Sequence, residues 1–416
     1  MILNSFREKF IFYYLPIILF SLIPFFLITG PFLSDLAVSI ISLLFIIYCF
    51  SKKNFSFFKN KYFYFFIIFW GYLVVNSLIN NFDIKNFGTS FVYLRYGIFM
   101  IAIVAFLNFD NKFIKYFFYC ILICFIIIIL DGYYQYFSGE NILGWKFSSR
   151  TSSFFGEEKI LGSYLSRLWP IFFGISILII NKKDKLFLLI VIVFILSESL
   201  IFLSGERAAF FYINLSAIFV ILFSQKLMKL RLFTLLTSIL LLAFISYINP
   251  TAKERIFDET LKGMNLTSKA ANEDIYIFTK AHHEMYISAF NMFLENKFIG
   301  VGIKNFRNKC NDPKFFVNNK SVCNTHPHNT YLQILAETGI IGFLFLLTLL
   351  FYFIRSIFKH SILKFKGQNY FTDFEVCILS GILIYLWPLV PTGNFFNNWL
   401  SIAMFLNFPF LIWSRS

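Results

Sequence analysis

Four of the chain's five histidines fall in two short polar segments, His282-His283 and His326-Pro327-His328. An imidazole titrates near neutral pH and can take a proton from a hydroxyl group, so these are candidate general bases. Pro327 biases Thr325-His326 toward extended backbone, and Asn329 or Thr330 is placed to cap a helix beginning at Tyr331. His328 then sits just before a helix N-terminus; the alternative is a surface His-Pro-His turn without chemistry. Arg207, closing Leu203-Ser-Gly-Glu-Arg207, opens an apolar run. Its guanidinium fork suits a phosphate and equally suits an interfacial anchor. Arg95 and Glu198 lie inside apolar runs, where an ionisable group either serves function or pairs helices; for Glu198 we take the pairing role. Cys49, Cys120, Cys124 and Cys377 sit in apolar runs and read as small hydrophobes. Cys310 and Cys323 share a polar segment and can close a short disulfide in an oxidising compartment. His282, His283, Glu284, His326 and His328 offer metal donors, yet the chain lacks a helical His-Glu-x-x-His and a paired-cysteine ligand motif. We therefore expect neither metal nor cofactor. A Gly-x-Ser-x-Gly turn is also lacking, which leaves a serine hydrolase without support.

The elements that must carry these residues are membrane spans. Of 416 residues 58% are hydrophobic and only 14% charged, far from the quarter charged that soluble domains carry. The 62 phenylalanines fit a skewed genome composition as well as any function. Runs long enough to cross a bilayer occur near 11–30, 33–50, 62–80, 90–107, 114–131, 160–180, 186–203, 207–224, 231–248, 331–354, 374–391 and 396–413. The expected fold is thus all-α, a polytopic bundle of about 12 spans. Residues 1–248 carry spans one to nine, 249–330 a long loop with short helices, and 331–416 the last three spans. Alternate connections hold Lys52, Lys53, Lys59 and Lys61; Lys112 and Lys115; Lys182, Lys183 and Lys185; Lys226, Lys229 and Arg231; and Arg355, Lys359, Lys364 and Lys366. The positive-inside rule puts those connections and both termini in the cytoplasm, and the long loop on the far side. The first apolar run is too long for a signal-peptide core and reads as an uncleaved span. The net charge of +15 fits loop anchoring; nucleic acid is not an expected partner, because no basic soluble domain is present.

The run His328-Asn329, followed after nine residues by Gly339 and after two more by Gly342, resembles the signature of the O-antigen ligase and polymerase superfamily of bacterial membrane glycosyltransferases. In the same order along the chain, Asp131-Gly-Tyr-Tyr-Gln135 with Gly139, Phe155-Gly-Glu-Glu with Gly162 and Arg167, Ser204-Gly-Glu-Arg207, and Met292-Phe-Leu-Glu-Asn with Gly300-Val-Gly302 and Phe306-Arg307 resemble it too. The resemblance implies a GT-C-like fold in the bacterial inner membrane, with a periplasmic active site that needs no metal or nucleotide sugar. It implies a glycan on undecaprenyl diphosphate as donor, and lipid A–core or a second lipid-linked glycan as acceptor. His328 resembles the family's base and Arg207 its diphosphate-binding arginine. A second arginine is often found before the segment equivalent to Tyr286–Gly302; here the chain reads Lys280-Ala-His-His-Glu, so Lys280, His282 or His283 stands in its place. His326 and Arg95 are further candidates for substrate contact. Ligase and polymerase share these parts, and the ligase reading is placed first. A transporter or flippase would call for charges spread among the spans and repeat symmetry, neither of which the chain displays.

Overall fold

The computed structural model describes residues 6–80, 83–148, 150–180, 185–225, 228–248, 250–266 and 275–416. Lys182, Lys183 and Lys226, counted above among the basic connections, lie outside them. Among the described residues there are helices and two isolated β-bridges but no strand. The principal helices are α1 (Phe6–Ile28), α2 (Pro31–Ser51), α3 (Lys61–Ile79), α4 (Ile84–Phe109), α5 (Ile114–Ser138), α6 (Leu161–Ile179), α7 (Lys185–Ser204), α8 (Arg207–Phe223), α9 (Met228–Ile248), α10 (Lys280–Glu295), α11 (Thr330–Phe365), α12 (Asp373–Leu386) and α13 (Asn398–Ser414).

By length and composition, nine helices among the described residues can cross a membrane: α1 to α7, α9 and α11. The other three expected spans coincide with shorter helices, α8 at 17 residues, α12 at 14, and α13, which is divided at Leu406. Polar residues mark the boundaries. Asn60 accepts the Tyr62 N–H at the start of α3, Asp83 accepts that of Lys85 at the start of α4, and Thr372 with Glu375 forms a capping box on α12. α11 runs to Phe365, further than the apolar run that predicted it, so Arg355, Lys359 and Lys364 sit on its last turns and not in a loop. Lys364 Nζ donates to the carbonyls of Leu222 and Ser224, and Arg231 reaches Val220 O and Ser224 O. These bonds tie the basic end of the bundle together by satisfying the orphan carbonyls of α8.

The core is built of α6, α8 and α12, which pack on one another, with α1 to α5 and α13 around them. α10 lies apart from this core and packs on α11. That docking depends on a break in α11. Gly339 has φ +64°, and the break leaves the carbonyls of Ala336 and Glu337 without helical partners. Val301 N and Gly302 N take them at 2.9 and 3.0 Å, and Ile340 N returns a bond to Lys297 O at 2.8 Å. A Cβ at Gly339 would collide with the Phe298 backbone, and one at Gly300 with that of Ala336, so both positions demand glycine. Glu337 lies fully buried below the joint, accepting from Phe306 N at 3.2 Å and Gln333 Nε2 at 3.0 Å.

Candidate active site

The histidines meet where two helices begin. Thr279 caps α10: its Oγ1 accepts the His282 N–H at 3.3 Å, and the same hydroxyl is hydrogen-bonded to His282 Nδ1 at 2.6 Å. Asn329 caps α11, its Oδ1 accepting from Tyr331 N at 3.0 Å and Leu332 N at 3.1 Å. Just before it, His328 has φ +55°, a left-handed conformation that costs a non-glycine residue of order 1–3 kcal/mol. Bonds on both sides hold it there: His328 O accepts Thr392 N at 2.8 Å, and Asn329 Nδ2 donates to Pro388 O at 2.8 Å. The result is a row of imidazoles, with ring centroids 5.4 Å apart from His282 to His328 and 4.1 Å apart from His328 to His326.

Hydrogen bonds assign their tautomers. His326 donates from Nε2 to Thr392 O at 3.1 Å and accepts the Thr325 hydroxyl at Nδ1 at 2.9 Å. Asn324 Oδ1 takes the Thr325 N–H at 2.7 Å, which leaves the Asn324 amide nitrogen to donate to His328 Nε2 at 3.0 Å. An amide nitrogen can only donate, so Nε2 of His328 carries the lone pair. Burial, and then the neighbouring His328, push His326 down to about 4; burial, His328 and Arg207 do the same to His282. Burial also lowers His328, partly countered by a backbone bond to Thr392. The cluster is thereby kept as free base at neutral pH.

Arg207 lies beside this row, its guanidinium 5.4 Å from the Phe278 ring centroid. It is not alone. Arg150 and Arg255 stand within electrostatic range of it and of each other, with Glu206 and Glu259 nearby. Glu206 fixes the turn before Arg207 by accepting Gly162 N at 2.6 Å and Ser163 N at 3.1 Å, so one carboxylate anchors α8 to the start of α6. Burial raises that carboxyl to about 7, which thins the negative charge among the arginines. Arg150 is brought in by a segment folded on the end of α5. Asp131 accepts Ser153 Oγ at 2.5 Å and Ile142 N at 3.0 Å, and Gln135 Oε1 accepts Ser152 N and Ser153 N at 2.8 Å. Gathered like charges suit an anion with several acceptor oxygens.

Not every candidate joins the cluster. His283 turns its ring to Tyr276, 5.4 Å away, and of the adjacent pair only His282 faces His328. Lys280 is exposed at the first position of α10. Arg95 is ion-paired with Asp35 at 2.6 Å and bonded to Val92 O and Tyr96 Oη. Cys310 and Cys323 are joined, with Cα atoms 5.2 Å apart, and close the loop that leads into the histidine turn. Among the described residues no group of three or more His, Cys, Asp or Glu is disposed to hold a metal ion. Arg150, Arg255 and Asn324 went unnoticed in the sequence. Arg150 and Arg255 lie in ordinary polar stretches, and only the distance of Asn324 from His328, four residues, offered a local signal.

At the end where α8 and α11 begin, the bundle of apolar helices carries neutral imidazoles beside clustered arginines, an arrangement chemically suited to holding an anion and to accepting a proton. Residues 190–347 match the family model for O-Antigen ligase, a likeness that supports kinship with the O-antigen ligase and polymerase superfamily over that stretch. The matched stretch holds Arg207, His282, the Gly339 joint and His328. No curated protein matches the chain.

Proposed function

We propose that the protein transfers a glycan from undecaprenyl diphosphate to an acceptor hydroxyl at the periplasmic face of the bacterial inner membrane, with His328 as base. The observation that supports this most is the unprotonated Nε2 of His328, fixed by Asn324 and lying one imidazole away from Arg207. In the step, the acceptor hydroxyl displaces the Asn324 amide from Nε2, its oxygen attacks the anomeric carbon, and its proton passes to the freed Nε2 lone pair. The bond from that carbon to the diphosphate oxygen breaks, and the electron pair leaves with undecaprenyl diphosphate. Arg207, with Arg150 and Arg255, stabilises the charge gathering on the leaving group. Diphosphate is already a good leaving group, so base and cations are sufficient, and a base opposite the leaving group gives inversion.

Lipid A–core is the acceptor we place first, which makes the protein a ligase; a second lipid-linked glycan would make it a polymerase. Purified protein supplied with lipid-linked glycan and each acceptor in turn separates the two, and transfer to neither rejects both. His328→Ala, inserted normally in the membrane, is expected to lose transfer by roughly 10²–10⁴-fold, the usual contribution of a general base. Undiminished transfer by that variant would sink the assignment.

A further inference from the structure

Arg167 is a buried cation that the proposed chemistry leaves unused. It lies on α6 with 4% of its surface exposed, and its Nε–H has no hydrogen-bond partner among the described residues. No carboxylate pairs with it there. Its guanidinium rests 4.9 Å from the Tyr212 ring centroid and 4.7 Å from that of Tyr385. Two aromatic faces soften a buried cation without neutralising it. A charge in this state inside a membrane bundle marks a place where something anionic visits.

The position of Arg167 links two spaces. Above it, Tyr212 lies near Tyr286 of α10, whose ring is 6.3 Å from His282 in the imidazole row. Tyr212 follows Arg207 by five residues, or about 7.5 Å along the α8 axis. Arg167 is therefore at the floor of the cleft whose rim carries Arg207. Beside it opens a cavity of about 150 Å³, lined by Arg167 with Phe69, Phe345, Leu349, Met404 and other, mostly apolar, residues. Thr392, whose carbonyl receives the His326 Nε2–H, is on the cavity wall. Asn394, also on that wall, has its Oδ1 engaged by Gln333 and Phe396 while its buried Nδ2 is unpartnered. Arg167 Nε, Asn394 Nδ2 and the Tyr93 and Tyr385 hydroxyls are thus buried on this wall without partners among the described residues, and all four can donate, in a lining that is mostly apolar. A chamber of this kind is complementary to a chain with an acceptor-rich anion at its head. At about 150 Å³ it is smaller than the ~300–1,000 Å³ of a typical ligand pocket, so it takes a segment of one chain and not several acyl chains side by side.

We infer that Arg167 and this cavity form the seat of a single-chain isoprenoid diphosphate, with the chain in the cavity and the diphosphate held between Arg167 below and Arg207 above. This rests on the donor chemistry given under Proposed function and adds a second, buried grip and a place for the lipid chain. Arg167 acts on binding and positioning, and the rim arginines keep contact with the outer phosphate.

The test is equilibrium binding of radiolabelled farnesyl diphosphate and of inorganic diphosphate to the full chain in detergent. Arg167→Met is expected to weaken farnesyl diphosphate by roughly ten- to a hundredfold, the loss of one charge-assisted contact, with Arg167→Lys recovering part of it. Met404→Trp fills the cavity and keeps Arg167; it is expected to weaken farnesyl diphosphate while leaving inorganic diphosphate unchanged. Phosphatidate, with two acyl chains, should compete poorly. Farnesyl diphosphate binding that survives Arg167→Met or Met404→Trp at wild-type strength overturns the proposal, and so does phosphatidate competing as well as the isoprenoid. Wild-type protein that binds inorganic diphosphate but gains nothing from the farnesyl chain overturns the seat alone. Wild-type protein that binds neither overturns the donor reading along with it.

Discussion

Asn324→Asp tests the assigned base most sharply, because it changes one charge at a known atom. In the native protein the Asn324 amide donates to His328 Nε2 at 3.0 Å and so favours the neutral ring. A carboxylate in the same place cannot donate and instead attracts a proton onto Nε2. Opposite charges this close shift a titration by roughly one to three units, here upward, since the carboxylate favours imidazolium. One unit is about 1.36 kcal/mol, and below the new midpoint each unit leaves about a tenfold smaller share of free base. The native ring is held below its ordinary value, so its activity should already be on a plateau at neutral pH and fall only in acid. Glycan transfer followed from about pH 5 to about pH 9 should show the variant's acid limb displaced upward by roughly one to three pH units, with transfer at neutral pH slowed by up to about a hundredfold and recovering toward the alkaline end. Asn324→Ala, which removes the amide without adding charge, separates the carboxylate's field from the lost contact. An Asp variant whose acid limb coincides with that of the wild type, however slow, refutes the assignment of His328 Nε2 as the base.

Stability should depend on pH through the other two imidazoles. His326 and His282 have folded values near 4, below the unfolded value, so the unfolded chain binds more protons between about 4 and about 6.5. Thermal stability in detergent should therefore fall as pH drops through that window, and His326→Asn should flatten the fall. Gly339→Ala places a Cβ against the Phe298 backbone at φ +64° and is expected to detach the 297–302 segment, lowering the melting temperature and exposing the 301 and 302 amides to hydrogen exchange. Cys310→Ser removes a link across 13 residues and should cost about 2–4 kcal/mol of local stability, read as faster proteolysis between residues 311 and 322; an unchanged digestion pattern would count against the link.

Much of the fold is legible in the sequence, because a bilayer-length apolar run has few ways to satisfy its backbone other than a helix. All twelve expected spans coincide with helices, although only nine reach the length of a full crossing among the described residues. The end of α11 escaped notice because its last turns are amphipathic, and apolar length alone does not mark where a helix stops. At the site, Asn329 as cap and His328 before it follow from local residue types. The choice of His282 over His283 does not, since it depends on which face α10 turns to α11, and that is set by the joint at Gly339. The arginine cluster is equally invisible: Arg150, Arg207 and Arg255 come from three separate stretches, and only folding brings them together.

Hydrogen bonds from Val301 and Gly302 pin the chain to α11 on one side of the histidine turn, and those of His326 and His328 to the Thr392 backbone pin it on the other. Between the pins the Cys310–Cys323 link closes a smaller ring. Part of the ring is itself anchored, since Phe315 is buried against α10 and Lys314 pairs with Glu295. The exposed turn of residues 316 to 320 is what can lengthen, shorten or change charge as partners change, while the fasteners keep the proton-accepting atom at a fixed address. Adaptation of the outer surface and constancy of the reactive centre are thus assigned to adjoining pieces of one loop.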